Sequence, residues 1–136
     1  MAPSDGAGRP LVDPSVLDRL RDELAEDAGY CTVFVGNFID YLPVRIGKLR
    51  LALTTGDLPG AVDAVLSIKT SSQMVGAERL ADLAMDLERS IREDSPRTEP
   101  SVSLPKLAVD YLRPLNLCIR QTLFRLESQR SAGAKR

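Results

Sequence analysis

The chain has no histidine and no tryptophan among its 136 residues. Without an imidazole it holds no catalytic triad built on a histidine base, and it lacks the nitrogen ligand that most zinc sites use. Aromatic residues make up only 4% of the sequence, which leaves few rings for the base stacking that binds single-stranded nucleic acids. These shortages exclude several classes of enzyme and argue against a nucleic-acid partner.

Cysteine is scarce as well. Cys31 and Cys118 lie far apart within apolar stretches, and the sequence contains no C-x-x-C pair. We expect two buried thiols that behave as small apolar side chains, rather than a disulfide, a redox pair or a zinc site. The sequence therefore predicts no cofactor and no bound metal.

The charges are balanced, with 18 basic and 19 acidic residues interspersed along the chain. Such a balance argues against both a nucleic-acid binder and a polybasic membrane anchor. No apolar run approaches the roughly 20 residues that a membrane-spanning helix needs. The first ten residues lack the charged and apolar regions of a signal peptide. We expect a cytoplasmic protein with a single domain.

Apolar residues recur every three or four positions through most of the chain, a spacing that predicts helices, and no alternating strand pattern is present. The expected N-cap of the first helix is Asp13, and Gly56-Asp57 and Gly76 should form the turns on either side of the third helix. Pro43 and Pro114 fall inside long helices and should bend them. The expected helices cover about residues 14–29, 30–54, 58–75, 77–93 and 104–129, with a Pro- and Ser-rich loop at residues 94–103.

The apolar stripes of these helices predict the core. The expected core positions are Val16, Leu17, Leu20 and Leu24; Phe34, Phe38, Leu42, Ile46, Leu49 and Leu53; Ala61, Ala64, Val65, Ile68, Ser72 and Val75; Leu80, Leu83, Ala84, Leu87 and Ile91; and Leu107, Tyr111, Leu115, Ile119, Thr122 and Leu126.

Short connections between successive helices force neighbours to run antiparallel. The sequence therefore predicts an all-α fold, an up-down-up-down four-helix bundle with a short additional N-terminal helix. This bundle should occupy residues 12–130. A disordered tail rich in Gly and Pro should precede it at residues 1–11, and a second disordered tail should follow at residues 131–136.

The segment Ala64–Gly76, A-V-L-S-I-K-T-S-S-Q-M-V-G, resembles the phosphoacceptor helix of histidine-containing phosphotransfer (Hpt) domains. The signature of that helix is roughly A-H-x-L-K-G-S, followed about ten residues later by a glycine. In this register Leu66 occupies the histidine position, and Thr70 replaces the glycine. Ile68 occupies the apolar position two residues on, Lys69 and Ser71 match the lysine and the serine, and Gly76 matches the glycine that ends the helix. The resemblance covers roughly Val12 to Arg130 and implies the same bundle fold.

Members of the Hpt family accept a phosphoryl group from a receiver-domain aspartate on an exposed imidazole. Leucine has no lone pair to offer at that position. An ester formed at Thr70 or Ser71 would be too stable to pass on, and no base is at hand to activate these hydroxyls. The hypothesis is a degenerate, non-enzymatic member (a pseudo-Hpt) of a bacterial two-component or phosphorelay system. It would bind the receiver domain of a response regulator, or a histidine kinase, without transferring phosphate.

The same register predicts a partner-binding face on the third and fourth helices. Leu66 should form its apolar centre together with Val62 and Met85, surrounded by a polar rim. The resemblance implies that Lys69 lies beside the acceptor position and that Thr70 adds bulk where the partner approaches. The predicted face comprises Val62, Asp63, Leu66, Lys69, Thr70, Gln73, Met85, Glu88 and Arg89.

Simpler interpretations stay open at this point. A single exposed leucine needs no special explanation, and Lys69 and Glu88 could be ordinary solvated residues. A second candidate function is a structural or oligomerising bundle whose Leu66 face forms a two-fold homodimer. A third is a phosphatase-like helper that presents Gln73 or Glu88 to the acyl phosphate of a receiver, although Leu66 then stands where the polar group is needed.

Overall fold

The structure of the chain, a computed structural model, describes residues 9–23 and 28–134, with side chains at residues 9–19 and 33–128. Those ranges contain helices and no strand, as an all-α fold requires. The helices are α1 (Pro14–Glu23), α2 (Ala28–Thr55), α3 (Leu58–Met74), α4 (Glu78–Asp94) and α5 (Pro100–Ala134).

Helices α2 to α5 form a four-helix bundle, in which α2 and α4 each pack against both α3 and α5. The short helix α1 packs against α2 and α3. This arrangement confirms the predicted bundle with an additional N-terminal helix. It also places α3 and α5 at opposite corners of the bundle.

A tight turn joins α2 to α3, as predicted. Gly56 has a φ of +73°, a left-handed conformation that costs glycine little. The Asp57 carboxylate accepts a hydrogen bond of 3.1 Å from the Gly60 amide and so caps α3. A Cβ atom at Gly56 would lie 2.8 Å from the Ser101 Cα atom, so this turn packs closely against the start of α5.

The turn between α3 and α4 meets the N-terminal segment. Gly76 has a φ of +77°, and its carbonyl oxygen accepts a hydrogen bond of 2.7 Å from the Asp13 amide. A Cβ atom at Gly76 would lie 2.7 Å from the Asp13 carbonyl oxygen. Gly76 therefore serves both to end α3 and to allow the start of α1 to approach. Asp13 caps α1, because its carboxylate accepts a hydrogen bond from the Ser15 amide.

The predicted apolar stripes form the core. All of the expected core residues of α3, α4 and α5 are buried, including Ser72 and Thr122, and so is Val75, which directly follows α3. In α1 and α2 the expected positions Val16, Phe34 and Ile46 are only half-buried. Leu20 and Leu24 lie outside the described side chains.

The start of α5 differs from the prediction. The helix begins at Pro100, so only residues 95–99 of the expected loop at 94–103 are non-helical. Proline suits the first helical position, since its φ is already helical and its missing N–H would have no partner there. The Glu99 carbonyl accepts hydrogen bonds of 2.9 Å from the Val102 and Ser103 amides. Pro100, which belongs to the segment that predicts a loop, thus begins a helix.

The long helices also run past the predicted ends. Helix α5 continues to Ala134, so the expected tail at residues 131–136 is helical for its first four residues. Helix α2 continues through Pro43, and α5 through Pro114. At the other end, residues 1–8 of the expected N-terminal tail lie outside the described residues. Leu11 already packs against the core, so the folded part begins slightly before residue 12.

Cys118 is buried, as expected, and its burial raises the pKa of its thiol. The side chain of Cys31 lies outside the described residues. Within the described ranges, none of the helices is long and apolar enough to cross a membrane. The same part of the chain contains no group of three or more acidic or cysteine side chains placed to hold a metal ion.

Candidate functional site

Leu66 lies at the middle of α3, on the side of that helix that faces away from the core. The core side of α3 carries Ala61, Ala64, Val65, Ile68 and Ser72, all buried. Side chains on the opposite side must therefore face outward, since a helix repeats every 3.6 residues. Leu66 is 37% exposed and Val62 is 36% exposed. Asp63, Thr70 and Gln73 are exposed on the same side, as predicted.

Leu66 borders a shallow depression between α3 and α4. The depression has a volume of about 350 Å³, and Val62 and Leu66 form its α3 side together with Val65. Its α4 side consists of Glu88, Ile91 and Arg92. The leucine is thus partly covered, and it adds an apolar wall to a concave surface rather than projecting alone into solvent.

An ion-pair network crosses from α3 to α4 beside this depression. The Lys69 ammonium lies 3.2 Å and 3.3 Å from the two Glu88 carboxylate oxygens. Arg92 lies 2.8 Å from Glu88 Oε1. The Glu88 side chain is only 14% exposed and that of Lys69 only 24%. The interpretation of these two residues as ordinary solvated side chains is therefore wrong.

Met85 borders a separate depression, next to the first. This second depression is lined by Met85, Arg89 and Glu93, and it shares Glu88 and Arg92 with the first. The ion pair between Glu88 and Arg92 thus stands between Met85 and Leu66. Charged groups of Glu88 and Arg92 therefore divide the predicted apolar centre of Leu66, Val62 and Met85. The offset between α3 and α4 determines that these charges lie between Leu66 and Met85.

The hydroxyls beside Leu66 are not set up as nucleophiles. The Ser71 hydroxyl donates a hydrogen bond of 2.7 Å to the Ser67 carbonyl oxygen within α3. The Thr70 side chain is exposed. A hydroxyl becomes a useful nucleophile when a base stands within hydrogen-bond reach, and among the described residues neither hydroxyl has such a partner. The groups that this face presents are apolar side chains and charges.

Two arginines of this region escaped the sequence-based prediction. Arg92 could have been found, because it lies four residues after Glu88 on the same helix face. Arg45 of α2 could not, because its partner is on another helix. Its Nε donates a hydrogen bond of 3.0 Å to the Ser67 hydroxyl, and its guanidinium lies 5.8 Å from the centre of the Tyr41 ring.

Comparison with known proteins gives a family match over most of the bundle. Residues 33–128 match the family model described as the Hpt domain. The chain is also similar to the crystal structure of histidine-containing phosphotransfer protein B (HptB) from Pseudomonas aeruginosa PAO1. The TM-score is 0.56 and the sequence identity 26%, over 85% of this chain and 96% of that one. No curated protein matches the chain.

Proposed function

The chain belongs to the Hpt domain family, and from that premise we propose that it acts in a phosphorelay as a binding protein that carries no phosphate. Hpt domains work in phosphorelays together with receiver domains and histidine kinases, and the similar protein from Pseudomonas aeruginosa is named for histidine-containing phosphotransfer. The proposed partner is accordingly the receiver domain of a response regulator, or a histidine kinase.

One observation carries the proposal that no phosphate is transferred. The position that resembles the phosphoacceptor is Leu66, on the outer side of α3, and the chain contains no histidine elsewhere. A carbon side chain forms no bond to a phosphoryl group, so the face keeps a binding surface and has no atom that accepts phosphate. On this proposal the protein is not an enzyme, and it modulates signalling by binding its receiver-domain or kinase partner.

The ion-pair network supports a binding role for the same face. Lys69 is held by Glu88 rather than extended into solvent, so its position is defined before a partner arrives. A preorganised side chain loses less conformational freedom on binding. Arg92, 74% exposed, is the more accessible cation of the network. We therefore infer that Arg92, absent from the predicted face, meets the acidic residues of a partner.

The two alternatives make different demands on this face. A homodimer through Leu66 needs an apolar patch that matches itself across a two-fold axis, whereas Glu88 and Arg92 separate Leu66 from Met85 on this face. A phosphatase-like helper needs a free amide or carboxylate at the centre of the face. Of the two candidates for that role, Glu88 is engaged by two cations, and Gln73 remains.

The proposal is tested by offering the protein a phosphorylated partner. The full chain is mixed with an active histidine kinase and labelled ATP, or with a labelled phosphorylated receiver domain from the same bacterium. We expect a stable complex in size-exclusion chromatography and no label on this chain. Label on Thr70 or Ser71 would contradict the proposal, and so would loss of label from the receiver that depends on Gln73.

A further inference from the structure

The outer side of α5 carries an alternating series of apolar and basic residues. It lies opposite the buried side of that helix, on which Tyr111 and Leu115 contact the core. Phe124 is 76% exposed and Leu117 is 51% exposed. The exposed series, in chain order, is Val102, Lys106, Val109, Arg113, Leu117, Arg120 and Phe124.

The C-terminal part of this series borders an open depression of about 590 Å³. Its apolar residues are Leu117 and Phe124 from α5 and Leu11 from the N-terminal segment. Its charged residues are all basic: Arg79 at the start of α4, and Arg120 and Arg125 on α5. Gln121 completes the lining. A concave surface that combines apolar side chains with several cations, and that has no carboxylate in its lining, favours a ligand with both apolar and acidic groups.

The two acidic residues of α4 nearest to Arg79 in the sequence are already paired. Arg9 lies 3.3 Å from Glu78 and 3.5 Å from Asp82, both on α4. The Arg9 carbonyl oxygen in turn accepts a hydrogen bond of 2.9 Å from Arg79 Nε, so Arg79 is held in place by the N-terminal segment. Within the part of the chain that the structure describes, Arg120 and Arg125 have no ion-pair partner. The positive charge of the depression is therefore not neutralised locally.

We propose that this depression is a second docking surface, which binds an acidic amphipathic segment of a partner protein. An apolar side chain of that segment would contact Leu117 and Phe124, and its carboxylates would pair with Arg79, Arg120 and Arg125. Clusters of arginine that recognise acidic motifs, and grooves that accept the apolar side of a helix, are established modes of peptide recognition. Charge complementarity supplies specificity and speeds the encounter.

Charge and shape favour an acidic amphipathic segment over a second copy of the chain, a bilayer or a single-stranded nucleic acid. A second copy of the chain, related by a two-fold axis, would bring together two depressions whose charged side chains are all basic, and like charges repel. A bilayer would favour a broad apolar helix face with the cations at its edge, whereas here the cations alternate with the apolar residues. A single-stranded nucleic acid needs several aromatic rings for stacking, and Phe124 is the one ring at this depression.

The second surface lies away from Leu66. Helices α3 and α5 stand at opposite corners of the bundle, since α2 and α4 each pack between them. A partner on α5 would therefore leave the α3 face accessible. On this inference the protein holds two partners at once, and the inference stands on the α5 surface whether or not Leu66 binds a receiver.

The test uses the full chain and two labelled synthetic peptides. One is an amphipathic helix with leucine and phenylalanine on one side and glutamate beside them. The other carries lysine in place of every glutamate. Fluorescence anisotropy should show binding of the glutamate peptide and none of the lysine peptide. Arg120→Glu with Arg125→Glu, and separately Phe124→Ser, should each weaken binding by about tenfold or more.

Lys106→Glu is the matched control, because it reverses one charge on the same side of α5, about three turns before Leu117 and outside the depression. It should change the affinity by no more than about threefold at physiological salt, where charges farther apart than a Debye length are screened. Circular dichroism and melting temperature should match the unmodified chain for the charge reversals and for Phe124→Ser, as expected for exposed positions. Leu66→Asp should bind the glutamate peptide as tightly as the unmodified chain.

Four results would overturn the proposal. The first is a failure of the glutamate peptide to bind, and the second is binding that neither the double charge reversal nor Phe124→Ser weakens. The third is tighter binding to phosphatidylglycerol vesicles or to a single-stranded oligonucleotide than to the peptide. The fourth is sedimentation of the chain as a dimer that Phe124→Ser converts to a monomer, which would make a second copy the occupant.

Discussion

Lys69 on α3 and Glu88 on α4 form an ion pair across the helix interface, with the ammonium 3.2 Å from one carboxylate oxygen and 3.3 Å from the other. The pair stands one turn of α3 away from Leu66, and Arg92 joins it from the solvent side. The residues that resemble the site of phosphotransfer therefore form a defined charged edge beside an apolar depression, and this relationship underlies the predictions for Lys69 and Glu88.

Leu66→His combined with Thr70→Gly should gain phosphate from a phosphorylated partner. The imidazole supplies the missing nucleophile, and the glycine removes the bulk of an exposed threonine beside it. Leu66→His alone should gain less label. The measurement is acid-labile label on the chain after incubation with kinase and labelled ATP, with Leu66→Ala/Thr70→Gly as the control. A double variant that still binds the partner but stays unlabelled would show that residue 66 is not at the acceptor position.

Leu66→Asp should weaken binding to a receiver domain or kinase by about 2 kcal/mol or more, as expected for a central interface residue. Because Leu66 is partly covered and lines the same depression as Ile91, we expect Leu66→Asp to lower the free energy of unfolding by about 1 kcal/mol. Calorimetric titration and thermal unfolding measure the two effects separately. Lys69→Ala should cost less affinity and show a stronger dependence on salt, as a charge at the rim does.

Val109→Asp is the matched control for Leu66→Asp, since it places the same charge on another exposed apolar position, 80% accessible, on α5. It should leave binding to the receiver or kinase unchanged. If Leu66→Asp folds and binds as well as Val109→Asp does, Leu66 has no part in the interface.

Glu88→Gln should lower the free energy of unfolding by about 1 kcal/mol, because it removes the shared partner of Lys69 and Arg92 from a mostly covered position. A cycle with Lys69→Met should show that the two effects are not additive. Urea unfolding at low and high salt measures both. Glu93→Gln, an exposed glutamate on the same helix, should change stability little. Additive losses would mean that the ion pair contributes no stability.

Leu83→Ala and Leu87→Ala should each destabilise the bundle by about 2–5 kcal/mol, because both side chains are fully covered and their removal leaves a cavity. Leu51→Ala is the control, since Leu51 is 65% exposed. It should change the free energy of unfolding by less than about 0.5 kcal/mol. Equal melting temperatures for all three variants would contradict the core arrangement of α4.

Tyr111 should make the free energy of unfolding depend on pH in the alkaline range. Its phenol lies 2.9 Å from the Ser90 hydroxyl and 3.3 Å from the Asp86 carbonyl oxygen, and burial raises its pKa above the ordinary value of 10.0. The folded state thus holds the proton more tightly than the unfolded chain. The stability that Tyr111 contributes is complete below the pKa of this tyrosine in the unfolded chain. It is lost as the pH rises through the higher pKa of the folded state.

Tyr111→Phe should therefore lose stability less steeply than the unmodified chain as the pH rises above about 10. The measurement is the urea midpoint across that range. Tyr41→Phe, at an exposed tyrosine, is the control and should follow the unmodified chain. Parallel curves for all three proteins would show that Tyr111 does not set this dependence.

The helices and the buried side of each could be predicted from the sequence, because both depend on spacing along one segment. Leu83 and Leu87 fall on one side of α4 whatever that helix packs against. The turns at Gly56 and Gly76 were equally local, since a left-handed residue followed by a cap is encoded within a few positions. The sequence does not predict the start of α5, because Pro100 can either interrupt a helix or begin one.

The assembly of the candidate site depended on the tertiary structure. The apolar repeat of α3 indicates that Lys69 lies on the outer side of that helix, but it does not indicate which residue of α4 lies beside Lys69. That partner follows from the rotation and offset of two helices, which the packing of their buried side chains sets. The same packing places Glu88 and Arg92 between Leu66 and Met85 and brings Arg79 of α4 beside Phe124 of α5. The sequence by itself determined the helices, their caps and the leucine at the centre of α3. Only the packing of the helices decided which charges surround that leucine, because such contacts join residues that are distant along the chain.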